Sequence, residues 1–145
     1  MKTGSKLMIA LAVMLAVTVG VTLFSGMFKT PQPRIPTPEF LSQLAAEADK
    51  KLPVLVDADD RIDKVEVGPG NVLIYDYTLP RISKSQLGDL PAVQKSVRQT
   101  LVTNYKTSTT VQMQSLRLRE VELDYKYRDK NGAFIFEITI SPKDF

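Results

Sequence analysis

The residues after position 38 predict an α+β domain: a four-stranded antiparallel sheet with helices on one face, in the order α-β-β-α-(short α)-β-β. Three observations predict it. Two stretches, 62–79 and 121–140, alternate apolar and polar side chains around glycine-bearing turns, as β-hairpins do. Each is preceded by segments whose apolar residues recur every three or four positions, as amphipathic helices do. Helices of that kind bury their apolar stripe against the apolar face of a sheet, which gives a two-layer architecture.

Composition narrows the chemistry. The 145-residue chain contains no cysteine, no histidine and no tryptophan. It therefore has no disulfide, thiolate nucleophile, imidazole base or ordinary zinc site, so most common enzyme constellations are excluded and no cofactor is expected. The formal charge is +3, and Lys2, Lys6 and Lys29, which flank one apolar stretch, account for it. Setting those three aside leaves the remaining basic residues equal in number to the 16 acidic ones. A balanced remainder lacks the electrostatic footprint of a nucleic-acid binder, and no nucleic acid is expected as a partner.

From Leu7 to Phe28 the chain carries no charge. As a helix this run is about 33 Å long, enough to cross a hydrocarbon core of roughly 30 Å. Residues 1–29 are therefore expected to form an uncleaved single-span anchor with the bilayer as partner. A cleaved signal peptide is the alternative, because a short basic leader before an apolar core is common to both. The stretch from Thr22 to Phe28 offers no small-x-small cleavage site, and there is no cysteine to carry a lipid. Lysines and arginines on the two sides nearly balance. The basic leader favours a cytoplasmic amino terminus, hence a domain on the periplasmic side of a bacterial inner membrane, or a secreted or periplasmic one if the leader is removed. Residues 30–38, TPQPRIPTP, hold four prolines in nine, which makes them a stiff linker of up to about 28 Å. The domain is expected over 39–145.

Thr37 as N-cap and Pro38 in the first turn open a helix over about 39–51, with Phe40, Leu41, Leu44, Ala45, Ala48 and Leu52 on one face, and Pro53 stops it. After an apolar patch at Val54, Leu55 and Val56 and an aspartate-rich loop, Ile62, Val65 and Val67 lead into Gly68-Pro69-Gly70, which forces a turn. Beyond it Leu73, Tyr75, Tyr77 and Leu79 share one side of a strand. Asp89 caps a second helix over about 90–105 that buries Leu90, Val93, Val97 and Leu101. Ser108 or Thr109 could cap one short helical turn burying Val111 and Met113 or Leu116. In the last hairpin Val121, Leu123, Tyr125 and Tyr127 alternate with charges, Asn131-Gly132 turns the chain, and Phe134, Phe136, Ile138 and Ile140 answer. The tyrosines and phenylalanines of both hairpins are expected in the core, since the helices have no other large apolar surface to cover.

Three strings, LPVLVDADDRID, VEVGPGNVLIYDYTL and VELDYKYRDKNGAFIFEITISP, together resemble a group of small, largely uncharacterised bacterial exported or membrane-anchored proteins. That group carries an LP-x-x-VD-x-x-x-R-[LI] segment, a Gly-Pro-Gly hairpin and a closing Y-x-Y-R-D-x-x-G hairpin. The resemblance spans about residues 52–142 and brings no catalytic residues with it. Relatives hold one cysteine near the end of the second helix and another at the carboxyl terminus, where this chain has Tyr105 and Phe145. The resemblance thus implies an aromatic contact between Tyr105 and Phe145 in place of a disulfide.

Four candidate sites stand out. Asp57, Asp59, Asp60 and Asp63 form the densest carboxylate cluster, the ligand type that Ca²⁺ prefers, but without the EF-hand register; the alternative is a solvated turn with Arg61 offsetting the charge. The same Asp57, Asp59 or Asp60 would serve a carboxylate-dependent hydrolase, a remote alternative. Ser83, Lys84 and Ser85 invite a Ser/Lys hydrolase reading, although adjacent residues on a polar loop rarely achieve the burial it requires. Lys95, Arg98 and Lys106, with Arg117 and Arg119, could attract an acidic partner or lipid headgroup, or form a solvated helix face. The function expected from these observations is that of a membrane-anchored envelope protein whose domain is a non-enzymatic interaction module or accessory subunit for a protein in or near the membrane. A signal-cleaved secreted or periplasmic factor or inhibitor is the alternative.

Overall fold

A computed structural model describes residues 35–144. Helix α1 (Thr37–Asp49) starts behind Pro36 with Pro38 in its first turn, and it buries Phe40, Leu41, Leu44 and Ala48. Strand β1 (Val54–Asp57) is followed by β2 (Asp60–Gly68) and β3 (Val72–Thr78), the last two joined through Gly70 at φ 78°, a conformation that suits glycine. A 3₁₀ turn (Lys84–Leu87) leads to α2 (Leu90–Thr107), then α3 (Val111–Leu118). Strands β4 (Glu122–Arg128) and β5 (Phe134–Ile140) and a final 3₁₀ turn (Pro142–Asp144) complete the order. Asp89 caps α2 through the Ala92 amide (3.2 Å). Thr110, rather than Ser108 or Thr109, caps α3 through the Met113 amide (3.3 Å). Thr37 caps nothing; its hydroxyl receives a hydrogen bond from Arg119 instead.

The expected four-stranded antiparallel sheet is corrected in two respects. The sheet has five strands in the order β1-β2-β3-β4-β5, and it is mixed, because β3 and β4 run parallel. The extra strand is the apolar patch at Val54, which folds back on β2 with Val54 opposite Ile62 and Leu55 opposite Arg61; four residues are too few for alternation to be recognised. The parallel pair follows from the connection. Helix α2, about 27 Å long, carries the chain back along the sheet, so β4 begins level with the start of β3, Glu122 opposite Val72. Asn71 fixes that start: its carbonyl accepts from the Glu122 amide (2.8 Å) and its side chain donates to the carbonyls of Arg119 (2.7 Å) and Glu120 (3.1 Å). At the other end the Leu79 amide donates to the Arg128 carbonyl (2.8 Å).

One core joins the helices to one face of the sheet. Tyr75 stacks on Tyr125 with ring centroids 5.0 Å apart, and Tyr77 on Tyr127 at 5.1 Å, each pair in register across β3 and β4. Phe136 meets the edge of Tyr127 at 5.3 Å. Tyr105 is also buried, with its hydroxyl donating to the Val121 carbonyl (2.5 Å). Phe134 departs from the expected core: a register shift between Tyr127 and Arg128 sets it opposite Arg128, on the other face and 51% exposed. A bulge adds one residue to a strand and so moves its neighbour across the sheet.

No helix among the described residues is long and apolar enough to cross a membrane. The Leu7 to Phe28 span, its bilayer contact, residues 30–34 of the linker and the Phe145 ring lie outside the described residues.

Candidate interaction surface

Alternation along each strand sends every second side chain away from the core, and the register lines these into rows across the opposite face. One row reads Lys64, Asp76, Lys126, Glu137; a second Glu66, Ile74, Asp124, Thr139; a third Arg61, Thr78, Arg128, Phe134. Lys64, Arg128, Phe134, Glu137 and Thr139 are exposed, so this face is open to solvent. Lys64 Nζ lies 2.6 Å from Glu66 Oε1, and Arg61 Nε lies 2.5 Å from Asp63 Oδ1. Arg128 Nη1 stands 3.7 Å from Asp76 Oδ1. Asp76 is only 9% exposed, sheltered beneath these longer side chains.

The rows bring carboxyl groups together in pairs. Burial, reinforced by the Glu66 carboxylate, pushes the Asp76 carboxyl up from its usual range, while the hydrogen bond from Lys64 holds Glu66 low. The Asp124 carboxyl, hydrogen-bonded to Glu137, pushes Glu137 up, with burial adding to the effect. Such a face sets charges of both signs around the aromatic Phe134, the kind of complementarity by which a protein can be recognised. On this face the Thr78 hydroxyl donates to Asp63 and the Thr139 hydroxyl to Asp124 Oδ1 (3.2 Å).

The acidic cluster read from the sequence is divided by the strands. Asp60 is fully buried, near enough to Tyr77 and Tyr127 to raise both phenols after burial has done so. Asp63 sits in a bulge of β2, where Arg61 and the Thr78 hydroxyl donate to it. Asp59 stands 3.9 Å from Arg81, and the Asp57 side chain lies outside the described set. Among the described residues no three acids gather into a group that could hold a metal ion.

Three of the five nominated basic residues tie the fold together. Arg117 Nη1 donates to the carbonyls of Tyr105 (2.8 Å) and Ser108 (2.7 Å) at the end of α2. Arg119 Nη1 donates to the Ile35 carbonyl (2.5 Å) and Thr37 Oγ1 (3.3 Å), and its guanidinium lies 4.3 Å from the centre of the Phe40 ring. Arg98 donates to the Thr139 carbonyl (2.6 Å) and to Asp144 (3.3 Å). Lys95 and Lys106 are exposed on α2. Ser83 and Lys84 belong to a turn: the Ser83 amide donates to Gln86 Oε1 (2.7 Å), and the Lys84 amide donates to Asp129 Oδ2 (2.8 Å). Ser83 and Ser85 share a hydroxyl contact of 3.1 Å.

Sequence reasoning missed Asp129. Almost fully buried, it also accepts from the amides of Asn131 and Ala133 (both 2.9 Å), and these backbone donors, Lys84 first, hold its carboxyl below the usual range. An aspartate two residues before Asn-Gly is the available signal, since such side chains bond to backbone two positions on. Gln94, whose side chain donates to the Glu137 carbonyl (3.2 Å), left no local signal.

No protein-family model and no curated protein sequence matches the chain. Among solved structures the fold is similar to that of a candidate secreted protein of Pseudomonas aeruginosa, at 20% identity and TM-score 0.57, over 70% of this chain and 86% of that one. It is similar also to the type II secretion system pilotin of Vibrio vulnificus, at 13% identity and TM-score 0.56, over 72% and 87%. The type II secretion system pilotin of Vibrio cholerae follows at 10% identity and TM-score 0.51, over 74% and 90%. At these identities the likeness is one of fold.

Proposed function

We propose that this chain is an exported accessory protein of the bacterial envelope, periplasmic or secreted, that works by binding another protein and catalyses no reaction. The observation that carries this reading is the fold, shared over most of their length with two secretion-system pilotins and a candidate secreted protein. A component of a secretion apparatus is accordingly the partner class. Physical arguments agree with it. The chain lacks the side chains of most catalytic arrays. Many of its polar groups, Arg98, Arg117, Arg119 and Asp129 among them, bind its own backbone. The open sheet face, with Phe134 beside Arg128 and rows of mixed charge, has the aromatic and arginine content typical of binding surfaces.

The test is cellular. The full-length chain with a carboxyl-terminal tag is expected in the periplasmic or culture fraction, and a photo-crosslinking residue at Phe134 or Lys126 is expected to give a discrete adduct with an envelope protein. Retention in the cytosol, or no adduct from either position, would overturn the proposal.

A further inference from the structure

The sheet has two outer edges, and the fold treats them differently. On β5 the carbonyls of Glu137 and Thr139 are occupied by Gln94 and Arg98 from α2, which blocks the addition of another strand there. On the opposite side β1 covers only the first part of β2, from Asp60 to Ile62. The outer side of β2 from Asp63 to Gly68 therefore has no strand beside it. Helix α1 packs against β2, and strand backbone with no partner strand is a template for another chain.

The side chains along this stretch select which chain. They read Asp63, Lys64, Val65, Glu66, Val67, with Lys64 and Glu66 on the open face and Val65 in the core. We propose that two copies of this protein pair antiparallel along this edge about Val65, forming one continuous sheet across a two-fold axis. In that register Lys64 lies opposite Glu66 of the second copy and Glu66 opposite its Lys64, so each edge is the electrostatic complement of itself. Both open faces stay on one side only if the pivot falls on a residue, not between two. Pivoting on Lys64 sets lysine against lysine, and pivoting on Glu66 sets glutamate against glutamate. Val65 is the centre between them that opposes unlike charges. The pairing extends from Asp63 to Val67 and stops where β1 begins, opposite Ile62. Lys64 and Glu66, 2.6 Å apart within one copy, exchange that contact for the equivalent one between copies.

The absence of cysteine gives a test without background. Full chains carrying Lys64→Cys and Glu66→Cys are mixed and oxidised. The mixture is expected to form a disulfide-linked dimer well in excess of either chain alone, because directly opposed residues lie within disulfide reach and diagonal ones stand about 7–8 Å apart. In sedimentation of the cysteine-free full chain, Lys64→Glu and Glu66→Lys are each expected to abolish the dimer, and the two together to restore it. Melting temperatures equal to the wild type exclude misfolding as the cause of a loss. A monomeric wild type, a dimer indifferent to both single reversals, or a well-folded double reversal that remains monomeric would each overturn the proposal.

Discussion

Asp129 ties three backbone amides from two separate loops to one carboxylate. Those donors favour its charged form, so its folded-state pKa lies below the unfolded value of about 3.9. The stabilisation it supplies is complete above that unfolded value and is lost as pH falls through the folded one. Asp129→Asn keeps an acceptor but not the charge; it is expected to lower the melting temperature at neutral pH and to flatten the acid limb of a melting-temperature profile. An unaltered neutral melting temperature would remove the carboxylate from this role. Arg119 does comparable work at the start of α1. Arg119→Ala is expected to cost about 2 kcal/mol in denaturant unfolding, from its charge-assisted hydrogen bonds and the contact with Phe40. Arg119→Lys should recover little of it, because an ammonium lacks the planar fork that reaches a carbonyl while lying on a ring. The aspartate before Asn131-Gly132 left a local signal, whereas the Arg119 role was not legible in the sequence. A lone arginine near a helix end reads equally as a surface charge, and its acceptor, the Ile35 carbonyl, is distant along the chain.

The strands and helices themselves were read more fully. Asp89, the three- and four-residue spacing and the tyrosine alternation placed α2, β3 and β4 close to where they lie. The two Tyr-x-Tyr pairs prove to be one stacked ladder, because parallel pairing sets Tyr75 against Tyr125 and Tyr77 against Tyr127. Tyr125→Ala is expected to cost on the order of 3 kcal/mol by urea unfolding, as removal of a buried ring does. Phe134→Ala, on the open face, is expected to stay within about 0.5 kcal/mol of the wild type. Equal losses for the two would mean that Phe134 is in the core after all. The bulge that separates them is invisible to a period-two pattern, which continues unbroken from Phe134 to Phe136.

The path of the chain between the hairpins decides the molecule's topology. With β3 and β4 parallel, Ile74 lies opposite Asp124 on the open face. An Ile74→Cys and Asp124→Cys pair is expected to close on oxidation in a chain with no other thiol, whereas Val72→Cys with Arg128→Cys, which antiparallel strands would bring together, should stay reduced. Thiol titration of the folded protein checks both, and the reverse outcome would restore the antiparallel arrangement. Composition alone excluded thiol, imidazole and ordinary zinc chemistry, and local periodicity alone specified two hairpins and the helices before them, because both depend on residues close in sequence. Tertiary structure decided the rest: the fifth strand, the parallel junction, the face on which Phe134 lies, and the attachment of Arg98, Arg117 and Arg119 to backbone carbonyls. Each of these depends on which distant segments meet, and an alternating pattern is the same whichever neighbour a strand acquires.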